Sequence, residues 1–262
     1  MTFFPPITGH WAHKYPIHSS SVLRWDKYHP YTAKETDIYL KSKLLPKDDL
    51  SSGGLYDRIH RRGVEAGMPD ISVTPLQGQY LGVLARAIGA KRILEIGTLA
   101  GFSTIFLARA LPTQGVIDTL ELSPLHAKIA QENFLDADLY PFPRIHLGPA
   151  LETLRNPNGP FARLPDEEGY DLIFIDADKE QIFDYFLESL RLTRKGGVVI
   201  VDNAIRGGRI SRSENDNPRI DVSGLRALYD WVEKDAGRTV LMSGIQTVSE
   251  KFWDGFAIAY KI

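Results

Sequence analysis

Acidic and amide side chains follow two short apolar runs of the sequence, at the points where these runs end. Asp176, Asp178 and Lys179 follow the run 170–175, and Asp202 and Asn203 follow the run 198–201. Carboxylate and amide oxygens without His or Cys are typical ligands of Mg²⁺, Mn²⁺ or Ca²⁺ rather than of zinc. A lysine amine beside such a cation is a candidate general base. The residue types therefore point to a divalent-cation site with a base next to it.

The elements around these two groups predict that they meet in space. Between the runs, apolar residues recur at spacings of three and four, which is typical of one face of a helix: Ile182, Phe183, Phe186, Leu187 and Leu190. We expect the glycine pair 196–197 to end this helix. Parallel strands joined by such a crossover deliver their carboxyl ends to one edge of a sheet, so Asp176, Asp202 and Asn203 should converge. The alternative is that these residues only form the turns after the strands.

Strands alternate with helices along most of the chain. Apolar runs predict strands at 92–96, 116–120, 144–147, 170–175 and 198–201, followed by two closing strands at 239–242 and 252–260. Helical patterns lie at 36–45, 55–66, 74–89, 101–111, 123–139, 148–154 and around Leu225, Leu228 and Trp231. This order predicts an α/β fold with a doubly wound, Rossmann-like seven-stranded sheet, mostly parallel with an antiparallel closing strand.

Composition excludes several classes of partner. The chain has 262 residues, 43% of them hydrophobic, and a net charge of −2, so neither nucleic acid nor an anionic membrane is an expected partner. No apolar run approaches the ~20 residues that span a bilayer, and the first residues lack the features of a signal peptide. The chain has no cysteine. We therefore expect a cytoplasmic protein that acts on a small molecule.

The turn after the first strand indicates a nucleotide-like ligand. Gly97 and Gly101 flank this turn, and Glu121 ends the second strand, where an acid can accept hydrogen bonds from both ribose hydroxyls. The turn lacks the G-x-G-x-x-G pattern of dinucleotide sites, and Glu95 would repel a pyrophosphate. A ligand that carries a sulfonium, an amine and an adenosine suits Glu95 and Glu121 better, and S-adenosylmethionine (SAM) is such a ligand. The alternative is a tight packing turn.

Six motifs together resemble one enzyme family. They are the segments 72–79, 94–103, 148–151, 174–179, 201–203 and 253–256. Their order and spacing are similar to those of the cation-dependent class I O-methyltransferases, the group of catechol and caffeoyl-CoA O-methyltransferases. The similarity runs from about Met68 to Ile262.

This resemblance implies a function for individual residues. The residues that would contact SAM are Val73, Glu95, Gly97, Thr98, Ser103, Glu121, Ala150 and Asp178. Asp176, Asp202 and Asn203 would hold the divalent cation, and Lys179, close to a dication and partly desolvated, would be the catalytic base with Asp176 beside it. The implied reaction is O-methylation of a vicinal dihydroxy aromatic such as a catechol, flavonoid, phenylpropanoid or acyl-CoA ester. The domain would span residues 55–262.

Residues 1–54 are predicted to form an N-terminal extension. Prolines and many aromatic residues indicate an arm that lies across the same subunit or a partner, as a dimer contact or a cover of the substrate site. A homodimer is expected from this arm and from the resemblance. The spacing of His10, His13 and His18 is irregular, which disfavours a metal site there.

The sequence differs from the family where acceptors are chosen. Plant members often carry an aromatic residue soon after the Asp-Asn pair, where this chain has Ile205 and Arg206, followed by two glycines. Four arginines of this segment either bind an anionic acceptor such as a CoA thioester or form a solvated loop: Arg206, Arg209, Arg212 and Arg219. The functional alternatives are a cation-independent SAM methyltransferase, a nicotinamide-dependent oxidoreductase and a non-catalytic scaffold.

Overall fold

The structure is a computed structural model that describes residues 32–162, 169–212, 220–249, 251 and 253–262, without the side chains of residues 220 and 221. Residues 1–31, with the three histidines, and Arg219 lie outside the described residues. The extension of residues 1–54, as a dimer contact or a cover of the substrate site, therefore stays a prediction, and its described part, residues 32–54, contains two helices.

Helices and strands alternate along the described chain. The helices are α1 (Ala33–Leu44), α2 (Lys47–Leu50), α3 (Leu55–Glu65), α4 (Pro75–Ala87), α5 (Phe102–Ala110), α6 (Pro124–Asp136), α7 (Ala150–Arg155), α8 (Ile182–Leu192) and α9 (Ile220–Asp235), with a 3-10 turn over Arg206–Ser211. The strands are β1 (Arg92–Ile96), β2 (Val116–Glu121), β3 (Arg144–Leu147), β4 (Tyr170–Ile175), β5 (Thr193–Asp202), β6 (Val240–Val248) and β7 (Trp253–Lys261).

The seven strands form one sheet in the order β3-β2-β1-β4-β5-β7-β6. Strands β1 to β5 are parallel to one another, and β7 is antiparallel to both β5 and β6. The predicted doubly wound, mostly parallel sheet with an antiparallel closing strand is confirmed. Its parallel strands end at a common edge, where the candidate site lies.

Both faces of the sheet are covered, which explains why the central strands are apolar throughout. Along β4, Leu172 and Phe174 belong to a core shared with α3 to α6, whereas Ile173 and Ile175 belong to a core shared with α7 to α9. Leu45, which precedes α2, is also buried in the first core. In the described part of the chain, no helix is long and apolar enough to cross a bilayer.

The start of α4 shows how local sequence fixes an element. Thr74 accepts a hydrogen bond from the Gln77 N–H at 3.3 Å, and the Gln77 side chain accepts one from the Thr74 N–H at 2.8 Å. Pro75 occupies the first helical turn, where a missing N–H costs nothing. This reciprocal cap places Val73, the residue before it, at the edge of the site.

The predicted end of α8 at the glycine pair is wrong. The helix ends at Leu192, and the extended residue Thr193 already pairs with Tyr170 as the first residue of β5. The register then shifts, since Leu172 pairs with Val198, and the glycines lie in this irregular part of the strand. A Cβ at Gly197 would lie 2.5 Å from the Thr193 side chain, so close backbone packing explains a glycine there.

The predicted strand 239–242 is too short. Strand β6 extends to Val248 because it pairs with β7 from Val240 opposite Lys261 to Val248 opposite Trp253. Its second half is polar and mostly exposed, and the hydrogen bonds to β7 replace the apolar pattern that the prediction required.

Candidate active site

A cavity of about 840 Å³ lies at the carboxyl ends of the central strands. Eleven of the twelve residues predicted for the site line this cavity: Val73, Gly97, Thr98, Ser103, Glu121, Ala150, Asp176, Asp178, Lys179, Asp202 and Asn203. They come from α4, α5, α7, β1, β2, β4 and β5 or from the turns beside these elements. The topology thus brings together residues that are up to 130 positions apart.

Asp176, Lys179 and Asp202 form one charged cluster in the cavity wall. The Lys179 Nζ donates a hydrogen bond to Asp176 Oδ1 at 2.9 Å. Asp202 is buried, and its burial together with the charge of Asp176 raises the pKa of Asp202 to about 8, against the lowering effect of Lys179. Two carboxylates with one ammonium leave this site short of positive charge when both acids are ionised.

Asn203 follows Asp202 in a left-handed conformation, with φ of 55°. Its N–H donates to Asp202 Oδ1 at 2.7 Å. Within the described residues, no three His, Cys, Asp or Glu side chains are grouped to hold a metal, so the candidate ligands remain two carboxylates and one amide. This donor set is of the hard, oxygen-only type.

The glycine turn after β1 lies directly against the end of β4. Gly97 has φ of 99°, and a Cβ there would lie 2.1 Å from the carbonyl oxygen of Asp176. The Asp176 N–H in turn donates to the Ile96 carbonyl at 2.9 Å. Only glycine fits this position. The turn and the acidic end of β4 therefore share one rigid piece of backbone.

Glu121, at the end of β2, is hydrogen-bonded to the backbone of the same turn. Its carboxylate accepts hydrogen bonds from the backbone N–H groups of Leu99 at 2.8 Å, Thr98 at 3.3 Å and Ser123 at 2.9 Å. His126 Nδ1 lies 3.3 Å from Glu121 Oε1, also at the cavity wall. The acid thus stands at the end of β2, as predicted for a ribose-binding residue.

Glu95 lies beneath the cavity and does not line it. It is fully buried and accepts hydrogen bonds from the hydroxyls of Ser103 at 2.6 Å, Thr119 at 2.7 Å and Thr104. Burial outweighs these bonds and raises the pKa of Glu95 to about 7. The sequence argument placed this carboxylate opposite the ligand, whereas in the structure Ser103 lies at the cavity wall and is bonded to Glu95.

The side chain of Asp178 is held by two cavity residues that the sequence analysis missed. Tyr185 Oη donates to Asp178 Oδ1 at 2.5 Å, and Gln181 Nε2 donates to Asp178 Oδ2 at 3.0 Å. Tyr185 belongs to α8, whose apolar spacing indicated only a core face. Asp178 lies before the helix, so helical spacing offered no signal for this contact.

Further polar residues close the cavity from loops. Arg206 lines it, as do His126, Lys251 and Asp254, whereas Arg209 and Arg212 are not among its lining residues. Lys251 Nζ donates to Asp70 Oδ1 at 3.2 Å and to the Ser72 carbonyl at 3.0 Å. This contact ties the end of the β6–β7 hairpin to the segment before α4. A smaller cavity of about 220 Å³ adjoins it and shares Val73 and Lys251 in its wall.

Comparisons of the sequence and of the structure with known proteins agree on one family. A family profile described as O-methyltransferase matches residues 53–246. A catechol O-methyltransferase of Mycobacterium tuberculosis is 40% identical over 226 residues, which cover 86% of this chain and 94% of that protein. The structure of an O-methyltransferase from Bacillus cereus in complex with SAH has a TM-score of 0.78 and 36% identity, and the match covers 88% of this chain and 98% of that one.

A second solved structure is similar to the same extent. It is an O-methyltransferase from Streptomyces achromogenes involved in tomaymycin synthesis, in complex with SAM, with a TM-score of 0.76, 36% identity and coverage of 87% and 96%. The matched profile extends from the residues before α3 into β6, so it includes the glycine turn and both acidic strand ends. The chain therefore belongs to the O-methyltransferase family.

Proposed function

We propose that the protein is a SAM-dependent, divalent-cation-dependent O-methyltransferase of a small vicinal dihydroxy aromatic compound. The observation that carries this proposal is the ion pair of Lys179 and Asp176 beside the buried Asp202, in a cavity that also contains the glycine turn. The relatives named for catechol methylation and the neighbours solved with SAM or SAH support it. Catechols, flavonoids, phenylpropanoids and acyl-CoA esters are the acceptor classes to compare.

The cavity residues fit a methyl donor of this kind. Glu121 would accept hydrogen bonds from the ribose hydroxyls, and the backbone at Gly97 can approach the ligand because no side chain intervenes. Val73, Thr98, Ser103, Ala150 and Asp178 would complete the donor site. About 840 Å³ lies within the usual range of ~300–1,000 Å³ for a ligand pocket. Bound SAM would supply a methyl group on a positively charged sulfur.

The acidic residues fit a divalent cation. Asp176 and Asp202 supply carboxylate oxygens and Asn203 an amide oxygen, and the two acids need positive charge to be ionised together in a buried site. Mg²⁺ is the first candidate, with Mn²⁺ and Ca²⁺ next. A bound cation would polarise the acceptor's hydroxyl oxygens and favour their ionised form.

Lys179 is the proposed base. Its Nζ is mostly buried at the cavity wall and is oriented by Asp176. In its neutral amine form, Nζ would take the proton of the acceptor hydroxyl. The acceptor oxygen would form the new bond to the methyl carbon, and the electron pair of the broken carbon–sulfur bond would stay on sulfur. Opposite charges cancel in this transfer, so alignment of the two reactants in a dry cavity contributes much of the rate.

A direct assay tests the proposal. Labelled SAM is incubated with a panel of catechols, flavonoids and acyl-CoA esters, with Mg²⁺ or with excess chelator. Transfer of label that is lost with chelator and restored by Mg²⁺ supports the proposal. Unchanged transfer of label in excess chelator would refute the proposed cation dependence and would favour the alternative of a cation-independent methyltransferase.

We also propose that the chain forms a homodimer. The support is an apolar strip on the β6–β7 hairpin, where Leu241, Ile245 and Tyr260 are exposed. Leu241 and Tyr260 are paired neighbours on the same face of the sheet. Light scattering of the full chain, compared with Leu241→Asp, tests this. A monomeric wild type would overturn it.

A further inference from the structure

The start of β7 holds the turn that follows β5. The N–H groups of Ile205 and Arg206 both donate to Asp254 Oδ1, at 3.0 and 2.8 Å. The Ala204 N–H donates to the Gly255 carbonyl at 2.9 Å. Asp254 is buried, although it reaches the cavity wall. Three successive amides of this turn are thus held by two adjacent residues of one strand.

The turn needs such support because its backbone is strained. Asn203 has φ of 55° and Arg206 has φ of 53°, both in the left-handed region, which asparagine tolerates but which is unfavourable for arginine. Residues in this region persist where surrounding contacts determine them. The hydrogen bonds from Ala204, Ile205 and Arg206 lie between the two left-handed residues and at the second of them.

The pairing is also sterically specific. A Cβ at Gly255 would lie 1.9 Å from the carbonyl oxygen of Ile245 and 2.9 Å from the Ile205 side chain. The turn therefore packs against the β7 backbone at Gly255, where no side chain intervenes. The carboxylate of the preceding residue, Asp254, can then accept hydrogen bonds from the N–H groups of Ile205 and Arg206. This accounts for the sequence Asp-Gly in the motif 253–256.

We propose that Asp254 is a positioning residue for the candidate cation site, acting through Asn203. By fixing the backbone of the turn, its carboxylate holds Asn203 in the left-handed conformation in which the Asn203 N–H reaches Asp202, and so sets the direction of the Asn203 amide group. This role rests on the proposed function. Asp254 is not itself assigned as a ligand, since the described residues contain no three-carboxylate group placed for a metal. Residues that orient metal ligands typically affect metal affinity by about 10- to 100-fold.

The test compares three variants of the full chain. Asp254→Ala removes the acceptor of both amides, whereas Asp254→Asn keeps one acceptor oxygen. Asp235→Ala is the matched control. Asp235 likewise accepts hydrogen bonds from two backbone N–H groups, those of Thr239 and Val240, at 2.9 and 3.2 Å, and it lies at the opposite end of the strands from the candidate site. Mn²⁺ affinity is measured by titration, and amide hydrogen exchange of residues 204–206 is measured without any metal.

In Asp254→Ala we expect Mn²⁺ binding weakened by at least about tenfold and faster exchange at 204–206. The Mn²⁺ affinity of Asp254→Asn should stay within about threefold of that of the wild type, and the affinity of Asp235→Ala should equal that of the wild type. Neither variant loses a hydrogen-bond acceptor at this turn. Unchanged Mn²⁺ affinity in Asp254→Ala, with a wild type that binds, overturns this role alone. A wild type that binds no cation overturns the proposed cation dependence together with this role. If Asp254→Ala does not fold, Asp254→Val replaces it, since valine has no acceptor and suits a strand, and unchanged affinity there is equally decisive.

Discussion

The Lys179 ammonium donates to the Asp176 carboxylate at 2.9 Å, three residues away on the segment between β4 and α8. The lysine is mostly buried, so the pair is shielded from salt and held in one geometry. A base that must take a proton at a fixed atom needs such orientation. This relationship makes Lys179 the first residue to test.

Lys179→Met should lower kcat by about 10²- to 10⁴-fold, the usual contribution of a general base. Binding of SAM should be retained, since methionine has a similar length and leaves the donor residues in place. Steady-state kinetics and donor titration measure the two effects. Lys128→Met, at a well-exposed lysine of α6, is the control and should behave like the wild type. A Lys179→Met enzyme with wild-type kcat would show that this amine is not the base.

Cation affinity should rise with pH up to about 8. Burial and the charge of Asp176 raise the pKa of Asp202 to about 8, so below this pH a proton occupies the carboxylate and must leave when a cation binds. The apparent Kd for Mg²⁺ should therefore improve about tenfold per pH unit between about pH 6 and 8, and then level off. Calorimetry in buffers of different ionisation enthalpy measures affinity and proton release together. A flat affinity over this range would contradict the assignment of Asp202 as a ligand.

Glu95 should make the metal-free and donor-free protein less stable as pH rises. Its pKa is raised by burial from 4.5 to about 7, so the folded state binds the proton more tightly than the unfolded state. This stabilisation is fully present below about pH 4.5 and is lost as pH rises through about 7, which corresponds to about 3 kcal/mol. Thermal unfolding at several pH values measures it against Glu95→Gln, whose Tm should fall less over the same range. Parallel curves for the two proteins would contradict the raised pKa.

Gly97→Ala should damage both stability and donor binding. The new Cβ would lie 2.1 Å from the Asp176 carbonyl oxygen in a residue with φ of 99°, so the turn must move. We expect a loss of about 2–4 kcal/mol in the free energy of unfolding and at least about tenfold weaker SAM binding. Gly244→Ala, where no atom lies within 4 Å of the added Cβ, is the control for glycine replacement. Wild-type donor affinity in Gly97→Ala would contradict the role of this turn.

The sequence was sufficient for the parts of the fold that local patterns determine. The strand ends at Ile96 and Ile175 follow from buried apolar runs bounded by polar residues, and the cap of Thr74 follows from the types at 74, 75 and 77. The start of α1 was missed by three residues, although Thr32 and Glu35 form a capping box there. The observed family also speaks against the oxidoreductase alternative.

The contacts between distant segments could not be predicted. Glu95 is two positions before Gly97 of the glycine turn, yet its side chain points into the core, since three hydroxyls from α5 and β2 bind it there. The hydrogen bond from Tyr185 to Asp178 and those from the turn after β5 to Asp254 depend on how α8 and β7 pack. Such geometry arises from the assembled sheet and not from periodicity or spacing.

Strand β7 lies between β5 and β6 although it follows both in the chain. During synthesis on the ribosome, β5 therefore has an unpaired edge until residues 253–261 have emerged, and Asp202 has no partner opposite it until Phe256 arrives. Nascent chains stalled before Trp253 would contain every proposed ligand and the base but not the strand that orders them. Maturation of the candidate site is thus tied to the last of the seven strands of this sheet to be translated.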